Sequence, residues 1–238
     1  MSIAPDNIAE RFIFKSDSAF SNLPENVKDA FTSQMFFKQF RKGQNIFTEY
    51  TYPAGIYFIK KGKVKKYKSL NGGKEQIIYI CSEGELLGYA AFLSEERYPD
   101  SAASLTDATI GFLSKDKLLK LLDQYPELSN MLMKNLSHEF GVLVNFIATF
   151  TQKSVRERVA LTLLILQEKF KDDVDDNNEI QIVLTRTDFA NIVGTAVATL
   201  VRLLHDFKEE NLIRTHGRKI IIKNKSQLLE IADVADVL

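Results

Sequence analysis

Six apolar residues, Met133, Leu136, Phe140, Leu143, Ile147 and Phe150, follow one another at intervals of 3, 4, 3, 4 and 3. That spacing keeps all six on one face of a helix and matches the seam along which two helices pack. The helix is long. Pro126 suits its first turn, where a missing N–H is no loss, and the pattern holds to about Thr151. Val142, Val144 and Phe146 fall off the seam. One face is therefore expected to cover a neighbouring domain of the same chain, and the other to meet a partner, most simply the same helix of a second copy. A helix buried inside a monomer is the alternative.

The residues before this helix follow a different period. From 37 to 113 the chain runs through NIFTEY, GIYFIKKG, KVKKYKSL, KEQIIYI and ATIGFL, short β-branched and aromatic stretches broken by glycine. Such runs predict an antiparallel sandwich or barrel rather than a parallel sheet. Asn71-Gly72-Gly73 between two of them reads as a hairpin turn, and Ser114 is placed to cap a short helix through Leu118, Leu119 and Leu122. Cys81, the only cysteine, falls in a strand; one thiol excludes an internal disulfide, a cysteine-ligated iron–sulfur cluster and a Cys-rich zinc site.

After the helix, Ser154 and Glu157 form a capping box that opens a new helix and marks a domain boundary. An acidic loop, KDDVDDNNE, and a strand, EIQIVL, lead into TRTDFANIVGTAVATLVRLL. Thr185 and Asp188 give a second capping signature, Ala190 allows close helix crossing, and Gly194 supplies a tight turn. Leu200, Leu203, Leu204 and Phe207 then repeat at helical spacing, which leaves Thr195, Ala198, Thr199 and Arg202 near the opposite face. Two further strands, 212–215 and 219–222, joined at His216-Gly217, read as a β wing. Helix-turn-helix plus wing is an assembly that places its second helix in the major groove.

The whole chain carries 31 basic and 31 acidic residues. Residues 185–225, however, hold eight basic against four acidic residues, between an acidic loop and an acidic tail, so the neutral total conceals a basic face. At 238 residues and 45% hydrophobic content the chain supports two domains. The expected division is 1–125, a sensor domain; 126–153, the long helix; and 154–238, the winged helix. No Ser/His/Asp set, metal-ligand spacing or glycine-rich phosphate loop suggests an enzyme. No basic-then-apolar N-terminal stretch and no 18-residue apolar run is present, so a cytoplasmic protein with no membrane partner is expected.

This order of parts resembles the Crp/Fnr family of bacterial transcription regulators over nearly the whole chain. The stretches that carry the resemblance are KKGKVKKY, EGELLGYAAF, DSAAS, and LTRTDFANIVGTAVATLVRLLHDFKEENLI followed by HGRKIII. It implies an α+β fold: an N-terminal, cyclic-nucleotide-binding-like antiparallel β-roll, a long dimerisation helix and a C-terminal winged helix-turn-helix. It also implies a homodimer that binds near-palindromic double-stranded DNA and engages RNA polymerase. By the same resemblance Thr185, Arg186 and His216 face phosphate, with Arg218 beside them on the wing, and Arg202 reads a base edge. Where many relatives carry arginine and glutamate early in the recognition helix, this chain has Val197 and Ala198. Apolar side chains can still touch a thymine methyl, and Thr195 or Thr199 can contact bases or phosphates. Weaker base readout and more reliance on DNA shape are expected. A ligand-binding or protein-interaction module with degenerate DNA readout is the alternative.

In nucleotide-binding relatives a Gly-Glu pair holds ribose and phosphate, and an Arg-Ser pair neutralises the cyclic phosphate. Gly84, Glu85 and Ser101 fit that pattern, but Asp100 stands where the arginine belongs. At about 4 Å and an effective dielectric of 20 a unit charge interacts by about 4 kcal/mol, so the reversed sign opposes an anion. Leu143 and Val144 replace the hydroxyl side chains that meet the base in a cyclic-AMP-responsive relative. The expectation is a pocket that does not take cyclic AMP, with the effector unknown and no cofactor.

Overall fold

The computed structural model describes residues 6–14 and 20–233. Two compact units divide the chain: one is Phe14–Phe140, and the other joins the N-terminal residues through Ile13 to everything from Gly141 onward.

The first unit opens with α2 (Glu25–Ser33), which follows a short N-terminal helix α1 (Asp6–Phe12) belonging to the other unit. Eight strands come next: β1 (Phe36–Phe40), β2 (Asn45–Phe47), β3 (Gly55–Lys61), β4 (Val64–Leu70), β5 (Lys74–Cys81), β6 (Leu86–Leu87), β7 (Ser101–Ser104) and β8 (Ala108–Ser114). They pair antiparallel into two four-stranded sheets, ordered β1-β8-β3-β6 and β2-β7-β4-β5. The predicted hairpin closes where Leu70 pairs Lys74, with Gly72 and Gly73 in the left-handed region. A one-turn helix, α3 (Tyr89–Leu93), lies between β6 and β7. Ser114 is the N-cap residue of α4 (Lys115–Gln124), although its side chain makes no cap hydrogen bond. Phe31, Ile56, Leu113, Leu118 and Leu128 sit at the centre of the core that joins these helices to the sheets.

The long helix α5 (Pro126–Gln152) has the predicted length. Leu128, Met131, Leu132, Asn135, Glu139 and Val142 form its buried stripe. Of the predicted seam, Met133, Leu136, Phe140, Ile147 and Phe150 are exposed, at 56, 38, 69, 65 and 37%, and Leu143 is half-buried. Val144, expected off the seam, is also exposed.

In the second unit, Ser154 and Glu157 make the expected reciprocal capping box at the start of α6 (Val155–Lys169). This helix is buried on nearly every side from Val159 to Leu166, and α1 packs against it. Phe12 meets Phe146 edge-on at 5.4 Å, and the Asn145 amide donates to the Arg11 carbonyl at 2.9 Å. The stretch EIQIVL is a strand only at β9 (Ile182–Val183), with Ile180 bridging to Val174. Then come α7 (Arg186–Val193), α8 (Val197–Glu209), β10 (Ile213–His216), β11 (Lys219–Ile222) and α9 (Lys225–Ala232). The wing is a three-stranded sheet ordered β10-β11-β9. The fold is thus α+β, an antiparallel β domain followed by a long helix and a winged helix-turn-helix. Among the described residues, no single helix is long and apolar enough to cross a membrane.

Candidate DNA-binding surface and effector pocket

Thr185 begins the helix-turn-helix by capping α7. Its hydroxyl oxygen accepts the Asp188 N–H at 2.9 Å, and the hydroxyl donates to the Asp188 carboxylate at 2.6 Å. Phe189, Ala190 and Val193 are buried, and Gly194 ends the helix at φ 68°, a left-handed conformation that glycine adopts without strain. The chain then bends by 97° into α8. Leu200, Leu203, Leu204 and Phe207 are buried beneath α8. That anchoring turns Val197, Ala198, Val201, Arg202 and His205 to solvent and leaves Thr195 and Thr199 half-buried at the flank.

Arg186 reaches across to the wing, where its Nη2 donates to the Gly217 carbonyl at 3.0 Å. Its Nη1 is buried with no hydrogen-bond partner among the described residues, and burial lowers its pKa from the usual arginine value. Arg186 therefore braces the wing turn, a role its position in the sequence did not reveal. His216 and Arg218, on either side of that turn, are exposed.

The basic face is narrower than the run of charges predicts. Arg214 and Lys223 both pair with Glu179 of the acidic loop, Lys223 at 3.0 Å, and Lys225 pairs with Glu168 at 3.4 Å. Arg202, Lys208, Arg218 and Lys219 hold no ion pair among the described residues; α8 also carries Asp206 and Glu209, so the unbalanced positive charge lies at the wing tip, on Arg218 and Lys219.

In the β domain, Gly84 turns the chain between β5 and β6 at φ 85°, and its N–H donates to the Ile59 carbonyl at 2.8 Å. Glu85 is buried and accepts the Ser82 N–H at 3.1 Å. Ser101 is also buried, with its Oγ accepting the Glu49 N–H at 3.0 Å. Asp100 forms an ion pair with Lys66 of β4, 3.3 Å from Nζ to Oδ2. Glu139 on α5 accepts a 2.6 Å hydrogen bond from the Tyr89 hydroxyl. Burial pushes the Glu139 carboxyl up to about 6 against the pull of Lys66. Burial also works against the charge on Lys66, but Asp100 and Glu139 outweigh it and raise its pKa. Sequence reasoning found Gly84, Glu85, Asp100 and Ser101 but missed Lys66, Tyr89 and Glu139. The other two candidates, Leu143 and Val144, belong to the second unit, where they are half-buried and exposed.

Two family models match the chain: a cyclic nucleotide-binding domain over residues 37–125 and a Crp-like helix-turn-helix domain over residues 157–231. The fumarate and nitrate reduction regulatory protein of Vibrio cholerae is 28% identical over 198 residues, which is 83% of this chain and 79% of that protein. Its Escherichia coli K12 counterpart is 27% identical over 195 residues, 82% and 78% of the two chains. Among solved structures, FixK2 from Bradyrhizobium japonicum superimposes with a TM-score of 0.67 at 20% identity, covering 83% of this chain and 96% of its own. The c-di-GMP responsive regulator CLP of Xanthomonas campestris gives 0.72 at 16% identity, covering 84% and 99%. With both domains matched in order and the fold shared, the chain belongs to the Crp/Fnr family of DNA-binding transcription regulators.

Proposed function

We propose that this regulator acts as a homodimer on near-palindromic DNA, and that its β domain does not respond to cyclic AMP. The observation that carries the reading is the exposed seam of α5. Phe140 and Ile147 are more than three-fifths exposed, a state that removal from water by a second copy relieves. Pairing through the seam relates two winged helices by a two-fold axis, and a two-fold protein matches an inverted repeat. In this reading residues 1–125 form the sensor domain, 126–153 the dimer helix and 154–238 the DNA-binding domain. Thr195, Val197, Ala198, Thr199 and Arg202 face base edges, while Thr185, Arg186, His216 and Arg218 lie along the phosphates. RNA polymerase is the proposed protein partner.

The charge balance of the β domain supports the exclusion of cyclic AMP. Asp100 and Glu139 both act on Lys66, which is already paired with Asp100. An anionic phosphate brought there meets repulsion where the family arginine offers attraction.

The experiment is light scattering on the full chain, alone and with Phe140→Glu plus Ile147→Glu. The dimer mass is expected for the wild type and the monomer mass for the variant, with unchanged far-ultraviolet circular dichroism. A wild-type monomer at micromolar concentration contradicts the reading.

A further inference from the structure

The face that α8 turns to solvent is apolar at Val197, Ala198 and Val201, up to Arg202. Val197 is 40% and Val201 48% exposed, and Ala198 is exposed beside them. Residues four apart on a helix stand one above the other, so Val197 and Val201 form one row and Ala198 and Arg202 the next. Leu200, Leu204 and Phe207, buried on the far side, prevent the helix from rolling to hide the valines. A β-branched side chain in a helix keeps one preferred rotamer, so these methyl groups are held outward in fixed positions.

Valine and alanine side chains neither donate nor accept hydrogen bonds, so they cannot read the polar base edges of the major groove. The one group there that an aliphatic side chain matches is the 5-methyl of thymine. Arg202 follows this apolar row on the same helix, and the exposed Arg218 and Lys219 of the wing turn add positive charge that suits phosphates. We infer that Val197, Ala198 and Val201 select thymines through their 5-methyl groups, with Arg202 adding a polar contact. This rests on α8 entering the major groove, as proposed above, and adds which base it reads and by which group.

The test uses the full-length protein and the duplex it enriches most from a random pool. Each thymine is replaced singly by deoxyuridine, which keeps the base pair and removes only the methyl. At one to three positions per half-site binding is expected to weaken about fourfold, the value of one buried methyl. At those positions the uridine effect shrinks in Val197→Ala or Val201→Ala, whose thermal unfolding matches the wild type because both residues are exposed. Replacing cytosine by 5-methylcytosine at a mismatched position restores affinity. If a sequence is enriched but every uridine substitution is silent, methyl reading is wrong while DNA reading stands. If no sequence is enriched, the DNA-reading proposal itself fails.

Discussion

The Tyr89 hydroxyl donates a 2.6 Å hydrogen bond to Glu139, linking the one-turn helix after β6 to the long helix. The Glu139 carboxyl titrates near 6 rather than 4.5, chiefly because it is buried. Between those values the native state holds a proton that the unfolded chain has lost. Stability from this group is therefore fully present below about 4.5 and falls as the pH rises toward 6, by about 2 kcal/mol at most. Urea unfolding of wild type and Glu139→Gln across pH 4.5–7 checks this: the difference between the two curves should have that sign, and parallel curves contradict it. Tyr89→Phe removes a bond that favours the ionised form, so it should move the Glu139 titration upward.

Lys66 and Asp100 stand 3.3 Å apart with side chains 20% and 9% exposed. Removing one partner strands the other charge in a poorly hydrated site. Lys66→Met is expected to destabilise the fold by about 2–4 kcal/mol, scaled down from a fully buried pair because of the residual exposure. Adding Asp100→Asn should recover most of the loss. Denaturation midpoints of the two variants measure both effects.

With two carboxylates, Asp100 and Glu139, acting on one lysine, isothermal calorimetry with cyclic AMP should detect no binding tighter than about 100 μM, where micromolar affinity corresponds to about 8 kcal/mol. Tight binding would mean that Lys66 leaves Asp100 to meet the phosphate.

Arg186 holds the wing through the Gly217 carbonyl. In Arg186→Ala the amides of 215–219 should exchange faster and DNA affinity should fall, while global stability changes little, since the residue is only half-buried. Hydrogen exchange and fluorescence anisotropy separate the two consequences.

Local patterns carried most of the architecture in the sequence. The α5 seam, the Asn71-Gly72-Gly73 turn, the Ser154 and Thr185 caps and the wing each depend on residues a few positions apart, where periodicity and capping chemistry operate directly. Lys66, Tyr89 and Glu139 were not legible as members of the charge cluster around Asp100 because they come from β4, α3 and α5. KVKKYK reads as a solvated strand, and Glu139 interrupts the apolar stripe of Leu128, Met131, Leu132 and Val142 instead of announcing a site. Charge counting along the chain likewise missed that Glu179 folds back onto Arg214 and Lys223. The short strand β7, built of small residues, lacks the β-branched signal that marks its neighbours.

The central claim is that α8 reads DNA from a two-fold dimer. Selection from a random duplex pool at about 150 mM salt, with the wild type beside Arg202→Ala, tests it most directly. The account predicts an inverted repeat enriched by the wild type and lost or degraded in the variant. Binding that is purely salt-sensitive and enriches no sequence in either protein would contradict it.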